Sequence, residues 1–249
     1  MEKLKIENLS YTYPNTASSA LSHVNLSVES GEFILLTGRS GCGKTTLLKQ
    51  LKPSILPSAG RSGAVTIDGV SDDKLLDKSV GFVFQSPEDQ FVTEYVWHEI
   101  AFGLESVGCD GETMRRRVAE VASFFGLESL FDKKVSSLSG GQKQMTALAS
   151  VMAMRPEILV LDEPVSRLDP ISTKSFTDML RRLHEETGIT VLVSSHDADA
   201  FLPICTRVIV MEDGEILCDG TPRDTAKKLW RDKHYLFEVA DEDSELDGE

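Results

Sequence analysis

The chain reads Phe33-Ile34-Leu35-Leu36-Thr37-Gly38-Arg39-Ser40-Gly41-Cys42-Gly43-Lys44-Thr45-Thr46-Leu47-Leu48 over residues 33–48. The apolar run predicts a buried strand and the residues after the last glycine predict a helix, so a glycine-rich loop joins a strand to a helix. Such a loop is expected to bind phosphate, because its N–H groups converge on phosphate oxygens and the helix start adds positive potential. The sequence therefore predicts a site for the phosphates of a nucleotide.

Within this loop, Lys44 is expected to reach the β- and γ-phosphates, and Thr45 to offer a hydroxyl to Mg²⁺. Cys42 has no evident chemical task there and is interpreted as a small, tolerated side chain. The residues predicted to bind nucleotide through the loop are Gly38, Arg39, Ser40, Gly41, Cys42, Gly43, Lys44, Thr45 and Thr46.

A second motif follows the apolar run 158–161, which ends in Asp162, Glu163 and Pro164. Ligands of open α/β folds bind where the carboxyl ends of the strands lie. We expect Asp162 to bind Mg²⁺ and Glu163 to polarise the water that attacks the γ-phosphate. An isolated Asp-Glu pair more often caps a turn, but its position downstream of a phosphate-binding loop favours the functional interpretation.

The remaining patterns predict an α/β fold with a mostly parallel sheet. Continuous apolar runs are typical of strands buried on both faces by helices. Alternating segments predict a small antiparallel subdomain, and the helical periodicity between Pro87 and Pro156 predicts an inserted helical subdomain. The predicted strands of the parallel sheet are 33–36, 80–84, 158–161, 190–193 and 207–211, and the alternating segments are 4–9, 24–28 and 63–68.

The composition excludes several classes of protein. A net charge of −14, from 40 acids and 26 bases, does not favour nucleic acid as a partner. No apolar run approaches the roughly 20 residues of a membrane span, and the N-terminus lacks the apolar block of a secretory signal, so we expect a cytoplasmic chain. The four cysteines are far apart, which disfavours a zinc ribbon or a disulfide framework. Residues 233–249 form an acidic tail that we expect to be disordered.

A third motif, Leu138-Ser139-Gly140-Gly141-Gln142, precedes a helical stretch. Its serine and glycine amides can form a second anion site at a helix start. Together with the two phosphate motifs it resembles the signature motif of the ATP-binding cassette (ABC) family, and the resemblance covers residues 3 to 232. It implies the P-loop ABC ATPase fold, with residues 1–232 as a nucleotide-binding domain and a helical subdomain over about 87–156.

The resemblance also implies a dimer. In the family, the signature residues Ser139, Gly140, Gly141 and Gln142 close over ATP held by the opposite subunit, so a second ABC ATPase subunit is expected. Asp169 matches the loop that crosses this interface, and His196 matches the histidine at the γ-phosphate. Gln85 matches the glutamine that senses Mg²⁺ and the attacking water. Tyr13 looks like the aromatic that stacks on adenine, with Tyr11 as a competitor and a plain strand aromatic as the alternative.

Residues 84–105 are similar to the ATPases of energy-coupling factor importers, in which Gln-x-Pro-x-x-Gln leads to Ala-Phe-Gly. This resemblance implies import of a vitamin or a transition-metal ion, a transmembrane partner and a place at the cytoplasmic face of the membrane. Residues 85–97 are expected to face that partner. The alternative is that Phe91, Val92, Tyr95 and Trp97 fill the core of the helical subdomain.

Two residues depart from the family pattern. Arg167 stands where the interface loop usually has a small or uncharged residue, and Met145 stands where many cassettes have arginine. The partner cassette is therefore either a second copy or a different ATPase. Other functions also stay open: the ATPase of another importer or of an exporter, a soluble cassette acting on DNA or ribosomes, or a module that holds ATP without hydrolysing it.

Overall fold

A computed structural model of the chain describes residues 1–231 except 15, 17 and 57–59. The predicted acidic tail, 233–249, lies outside the described residues, as does residue 232. The described strands are β1 (Glu2–Tyr11), β2 (Leu21–Glu29), β3 (Phe33–Gly38), β4 (Arg61–Ile67), β5 (Val80–Val83), β6 (Ile158–Asp162), β7 (Thr190–Ser194), β8 (Arg207–Glu212) and β9 (Glu215–Gly220). The described helices are α1 (Lys44–Gln50), α2 (Asp73–Ser79), α3 (Val96–Ser106), α4 (Gly111–Phe124), α5 (Gly140–Ala153), α6 (Pro170–Thr187) and α7 (Pro222–Arg231).

The central sheet has six strands in the order β5-β6-β7-β3-β8-β9. All pairs are parallel except β8 with β9. The continuous apolar runs form the five parallel strands, and four of these are buried along their whole length. The predicted α/β fold is confirmed. Sequence reasoning missed β9, although the Asp213-Gly214 turn before it, with φ of 47° and 83°, is a strong hairpin signal.

The alternating segments form a separate antiparallel sheet in the order β2-β1-β4. Alternate residues of β1, among them Leu4 and Ile6, are fully buried while their neighbours face outward. This two-residue period is expected of a strand with one face buried and the other exposed to solvent. The buried face packs against one side of the central sheet, where Ile34, Leu36 and Leu47 share its hydrophobic cluster.

The segment between β5 and β6 is helical, with α3, α4, α5 and three short 3₁₀ turns. Buried residues such as Val96, Ile100 and Leu148 join Phe33 and Leu35 in one hydrophobic cluster on the other side of the central sheet. The helical segment and the sheet thus share a core, which holds the loops at the sheet edge in place. Across the described ranges, none of the helices is both long enough and apolar enough to span a bilayer.

Candidate nucleotide-binding site

The loop between β3 and α1 has a backbone that only glycine can adopt at two points. Gly38 has φ of 142°, and a Cβ there would lie 2.2 Å from the carbonyl oxygen of Met211. Gly43 has φ of 107°, and its Cβ would lie 2.7 Å from the carbonyl oxygen of Ala20. Both distances are far below a van der Waals contact, so the neighbouring chain closes tightly around the loop.

Lys44 lies at the start of α1 and is only 6% exposed. Its ammonium donates to the carbonyl oxygens of Gly38 at 2.8 Å and Arg39 at 3.2 Å. These neutral acceptors satisfy a buried cation without neutralising it. These carbonyl acceptors do not compensate the ammonium charge, so an anion bound in the loop can form an ion pair with Lys44.

Asp162 joins the first two motifs at the carboxyl end of β6. Its Oδ1 accepts hydrogen bonds from Thr45 Oγ1 at 2.9 Å and from Ser194 Oγ at 2.8 Å. The carboxylate is almost completely buried. Thr45 comes from α1 and Ser194 from the end of β7, so three elements fix this one oxygen.

Glu163, the residue after Asp162, forms a hydrogen-bonded pair with His196. The Glu163 backbone has φ of 49°, a left-handed conformation that is rare outside glycine and typical of functional sites. Its N–H donates to both Oγ and the carbonyl oxygen of Ser194, at 3.0 Å and 3.1 Å. His196 Nδ1 lies 2.8 Å from Glu163 Oε2, so the carboxylate points toward the loop after β7.

Gln85 follows β5 and is exposed at the edge of the same site. Its Nε2 donates to Ser166 Oγ at 3.3 Å, and Ser166 Oγ donates to the carbonyl oxygen of Glu163 at 2.9 Å. Because the amide nitrogen is held by Ser166, the carbonyl oxygen of Gln85 is the atom that can coordinate a ligand.

Tyr13 and Tyr11 occupy different environments, which separates the two aromatic candidates. The Tyr13 hydroxyl lies 3.1 Å from Thr46 Oγ1, and its ring is half-buried beside the loop. Tyr11 is 2% exposed in the core under the antiparallel sheet, and burial raises the pKa of its phenol. Of the two rings, only that of Tyr13 is available to a ligand.

Lys44, Thr45, Glu163 and His196 are among the residues that line one open cavity of about 700 Å³, a volume suited to a small-molecule ligand, whereas the predicted metal ligand Asp162 does not line it. Ala20, which sequence reasoning missed, also lines it. The predicted residues Gly38, Arg39 and Cys42 do not; Cys42 is buried in the hydrophobic cluster beneath the loop instead. The lining residues are Tyr13, Ala20, Ser40, Gly41, Gly43, Lys44, Thr45, Thr46, Gln85, Glu163 and His196.

The third motif begins α5 and lies outside this cavity. Ser139 Oγ accepts from the N–H of Gln142 at 3.3 Å, and Gln142 Oε1 accepts from the N–H of Ser139 at 3.0 Å, which forms a capping box. Ser139, Gly141 and Gln142 line a second cavity of about 360 Å³ together with Met145 and Ile171. Gly140 is exposed beside Ser139. The structure does not bring this motif to the phosphate-binding loop of its own chain.

Asp169 immediately precedes α6 and has a structural role that sequence reasoning did not assign to it. Its carboxylate accepts from the Ser172 hydroxyl at 2.6 Å and from the N–H groups of Ser172 and Ile171, both at 3.0 Å. The hydrogen bond from the Ser172 hydroxyl, followed by those from the backbone, holds the pKa of Asp169 below its usual range. The residue is an N-cap as well as a candidate interface residue.

Ser194 and Ser166 are further site residues that the motifs did not predict. Ser194 contacts both Asp162 and Glu163, and Ser166 contacts Gln85. A sequence signal existed for each, because Ser194 ends a buried strand two residues before His196 and Ser166 lies three residues after Glu163.

The site fits Mg²⁺ as it is bound with a nucleotide. No group of three or more His, Cys, Asp or Glu side chains in the described part of the chain could by itself hold a metal ion. Mg²⁺ beside phosphates needs only one or two protein oxygen ligands and takes the rest from phosphate and water. The adjacent oxygens of Thr45 and Asp162 are ligands of that kind.

The fold and the site together define a P-loop nucleotide-binding protein, and comparison with known proteins gives its family. A family model described as ABC transporter matches residues 21–166. An ABC transporter ATP-binding protein of Bacillus cereus is 45% identical over 230 residues, which is 91% of this chain and 42% of the relative. The chain thus spans less than half the length of that curated relative.

Solved structures of ABC cassettes are also similar to this chain. The structure of cbiO1 from Clostridium perfringens, part of the ABC transporter complex cbiONQ, has a TM-score of 0.81 and 32% identity, and the match covers 94% of this chain and 93% of that one. The dimeric structure of a post-hydrolysis state of the ATP-binding cassette MJ0796, bound to ADP and phosphate, has a TM-score of 0.76 and 31% identity. That match covers 88% of this chain and 98% of the other. The chain belongs to the ABC transporter family.

Proposed function

We propose that the chain binds and hydrolyses ATP as one of two cassettes in an ABC importer of the energy-coupling factor type, at the cytoplasmic face of a membrane. The observation that carries the proposal is the separation of the motifs. Lys44, Thr45 and Glu163 line one cavity, whereas Ser139 lines another. In this proposal each chain supplies one half of each of two composite ATP sites, so two chains must come together to complete them.

In each composite site, the loop amides and Lys44 hold the phosphates of ATP, and Tyr13 stacks on the adenine. Thr45, Asp162 and Gln85 hold Mg²⁺, which neutralises charge on the phosphate oxygens when bound. Glu163 orients a water for attack on the γ-phosphate and accepts its proton, and His196 keeps the carboxylate in place. The signature residues of the second subunit cover the γ-phosphate from the opposite side.

A mixing experiment tests the composite site. Lys44→Ala removes the phosphate-binding cation, and Ser139→Arg blocks the signature, so each variant alone is expected to lose Mg-ATP hydrolysis. A mixture of the two forms some dimers with one intact composite site, and phosphate release should return to a fraction of the wild-type rate. An active wild type whose two variants fail to complement each other would mean that the motifs act within one chain.

Glu163→Gln tests the chemical step. The amide keeps the shape of the side chain but cannot accept a proton, so turnover should fall by about 10²-fold or more while ATP binding is retained. ATP should then stabilise the dimer, which size-exclusion chromatography with and without Mg-ATP measures. Undiminished turnover would remove Glu163 from the mechanism.

Exposed apolar side chains support a protein partner on the helical segment. Val92, Trp97 and Phe102 are 63%, 38% and 42% exposed, whereas Phe91 packs against the core. These residues fall within eleven consecutive positions of the chain, and exposed apolar groups commonly mark a binding site for another protein when they form a patch. The relative cbiO1 is part of a transporter complex, which agrees with a transmembrane partner here.

Affinity purification from membranes tests this surface. The wild-type chain should retain a small membrane protein, and the double variant Val92→Asp and Trp97→Asp should lose it, with an unchanged unfolding midpoint as the folding control. Arg116→Ala, on the exposed side of α4, is the matched control and should retain the partner. Recovery of an exporter or of no membrane protein would contradict the importer assignment.

A further inference from the structure

Two loops at the site are joined residue by residue. The glutamine loop, residues 84–90, follows β5, and the interface loop, residues 163–169, follows β6. Gln85 Nε2 donates to Ser166 Oγ at 3.3 Å, and Arg167 Nη1 donates to Ser86 Oγ at 2.8 Å. Consecutive residues of one loop therefore bind consecutive residues of the other.

An ion pair attaches the glutamine loop at a second point. Glu88, in the glutamine loop, pairs with Lys143 of α5 at 2.8 Å. The hydrogen bond from Lys143 is the main cause of the lowered pKa of the Glu88 carboxyl, and the charge of Arg167 contributes to it. Arg167 thus holds the glutamine loop by a hydrogen bond to Ser86 and by attraction to Glu88.

The interface loop is itself tied to the proposed base. Ser166 donates to the carbonyl oxygen of Glu163 through both its N–H, at 3.2 Å, and its hydroxyl, at 2.9 Å. The contacts run without a gap from Glu163 through Ser166 to Gln85, and Arg167 reinforces them from the next position.

We propose that Arg167 is a positioning residue that fixes Gln85 at the cavity by holding Ser86 against the interface loop, so that the two loops move together when a second subunit closes. The inference rests on the proposed function for its catalytic consequence. The coupling of the loops does not, because all its contacts lie within one chain.

Hydrogen exchange of the nucleotide-free chain tests the coupling directly. The N–H groups of Asp89, Gln90 and Phe91 donate to carbonyl oxygens of Ser86 and Pro87, so their exchange reports opening of the glutamine loop. In Arg167→Ala their exchange should accelerate by about three- to tenfold, the effect of losing one hydrogen bond. Arg116→Ala, which removes an equal charge from exposed α4, should leave it unchanged.

A double-mutant cycle and kinetics complete the test. Ser86→Ala should reproduce most of the effect of Arg167→Ala, and the double variant should be no worse than Arg167→Ala alone. In steady-state ATP hydrolysis, Arg167→Ala should lower kcat with little change in KM for ATP, and Arg167→Lys should recover part of the loss. Unchanged exchange, or additive effects of the two single variants, would overturn the inference. An inactive wild type would count only against the proposed function.

Discussion

His196 holds one carboxylate oxygen of Glu163 with both its side chain and its backbone. The imidazole Nδ1 lies 2.8 Å from Oε2 of Glu163, and the N–H of His196 lies 3.3 Å from the same oxygen. The two residues follow adjacent parallel strands, β6 and β7, so the sheet fixes their separation. The other carboxylate oxygen, Oε1, is thereby oriented, and this is the oxygen we assign to the attacking water.

Replacing His196 by alanine should therefore reduce turnover more than binding. The imidazole is 63% exposed, so its loss leaves no cavity and the fold should be unaffected. Because Glu163 would lose its orienting partner, kcat for Mg-ATP should fall by about 10²-fold, with the dissociation constant for ATP changed far less. Phosphate release and nucleotide titration measure the two quantities. Equal losses in both would make His196 a binding residue instead.

Ser194 should be important for both stability and the metal site. Ser194→Ala leaves the buried carboxylate of Asp162 with one fewer hydrogen bond, which should cost about 1–3 kcal/mol of unfolding free energy. The Mg²⁺ concentration for half-maximal turnover should also rise. Ser195→Ala is the matched control, because this buried neighbour hydrogen-bonds Asp197 rather than Asp162. If both variants shifted the Mg²⁺ dependence equally, Ser194 would have no specific effect on Asp162.

The fold and the motif positions were predictable because local patterns determine them. Apolar runs in front of Gly38 and Asp162 mark buried strands, and the glycines mark a conformation that other residues cannot adopt. Contacts between distant residues were not predictable. Ser194 reaches Asp162 across 32 residues and Arg167 reaches Ser86 across 81, and no local pattern encodes such pairs.

Side-chain direction was the other unpredictable feature. Cys42 lies in the middle of the phosphate-binding loop, yet its side chain is buried in the core, because the turn before α1 points it away from the cavity.

The capping role of Asp169, by contrast, could have been predicted, since Asp followed by Pro is a common start of a helix.

The two tyrosines provide a matched test of adenine stacking. Tyr13→Ala should weaken ATP binding by about 1–3 kcal/mol, the typical contribution of a stacked aromatic ring. Tyr13→Phe keeps the ring and loses only the contact with Thr46, so it should bind nearly as well as the wild type. Tyr11→Ala should instead destabilise the fold by about 3–5 kcal/mol, because it empties a core position. Calorimetric titration with ATP and urea unfolding separate the two effects.

The cap of α6 should make stability depend on pH in a defined direction. The pKa of Asp169 is lowered in the folded chain, so the ionised carboxylate favours folding. Its contribution is fully present above the unfolded pKa of about 3.9 and is lost as pH falls through the lower folded pKa. Asp169→Asn keeps a capping oxygen but does not titrate. In urea unfolding between about pH 7 and pH 3, the wild type should exceed this variant by a constant margin down to about pH 4, and the margin should shrink below it. A margin that does not change with pH would mean that the charge of Asp169 adds nothing to the cap.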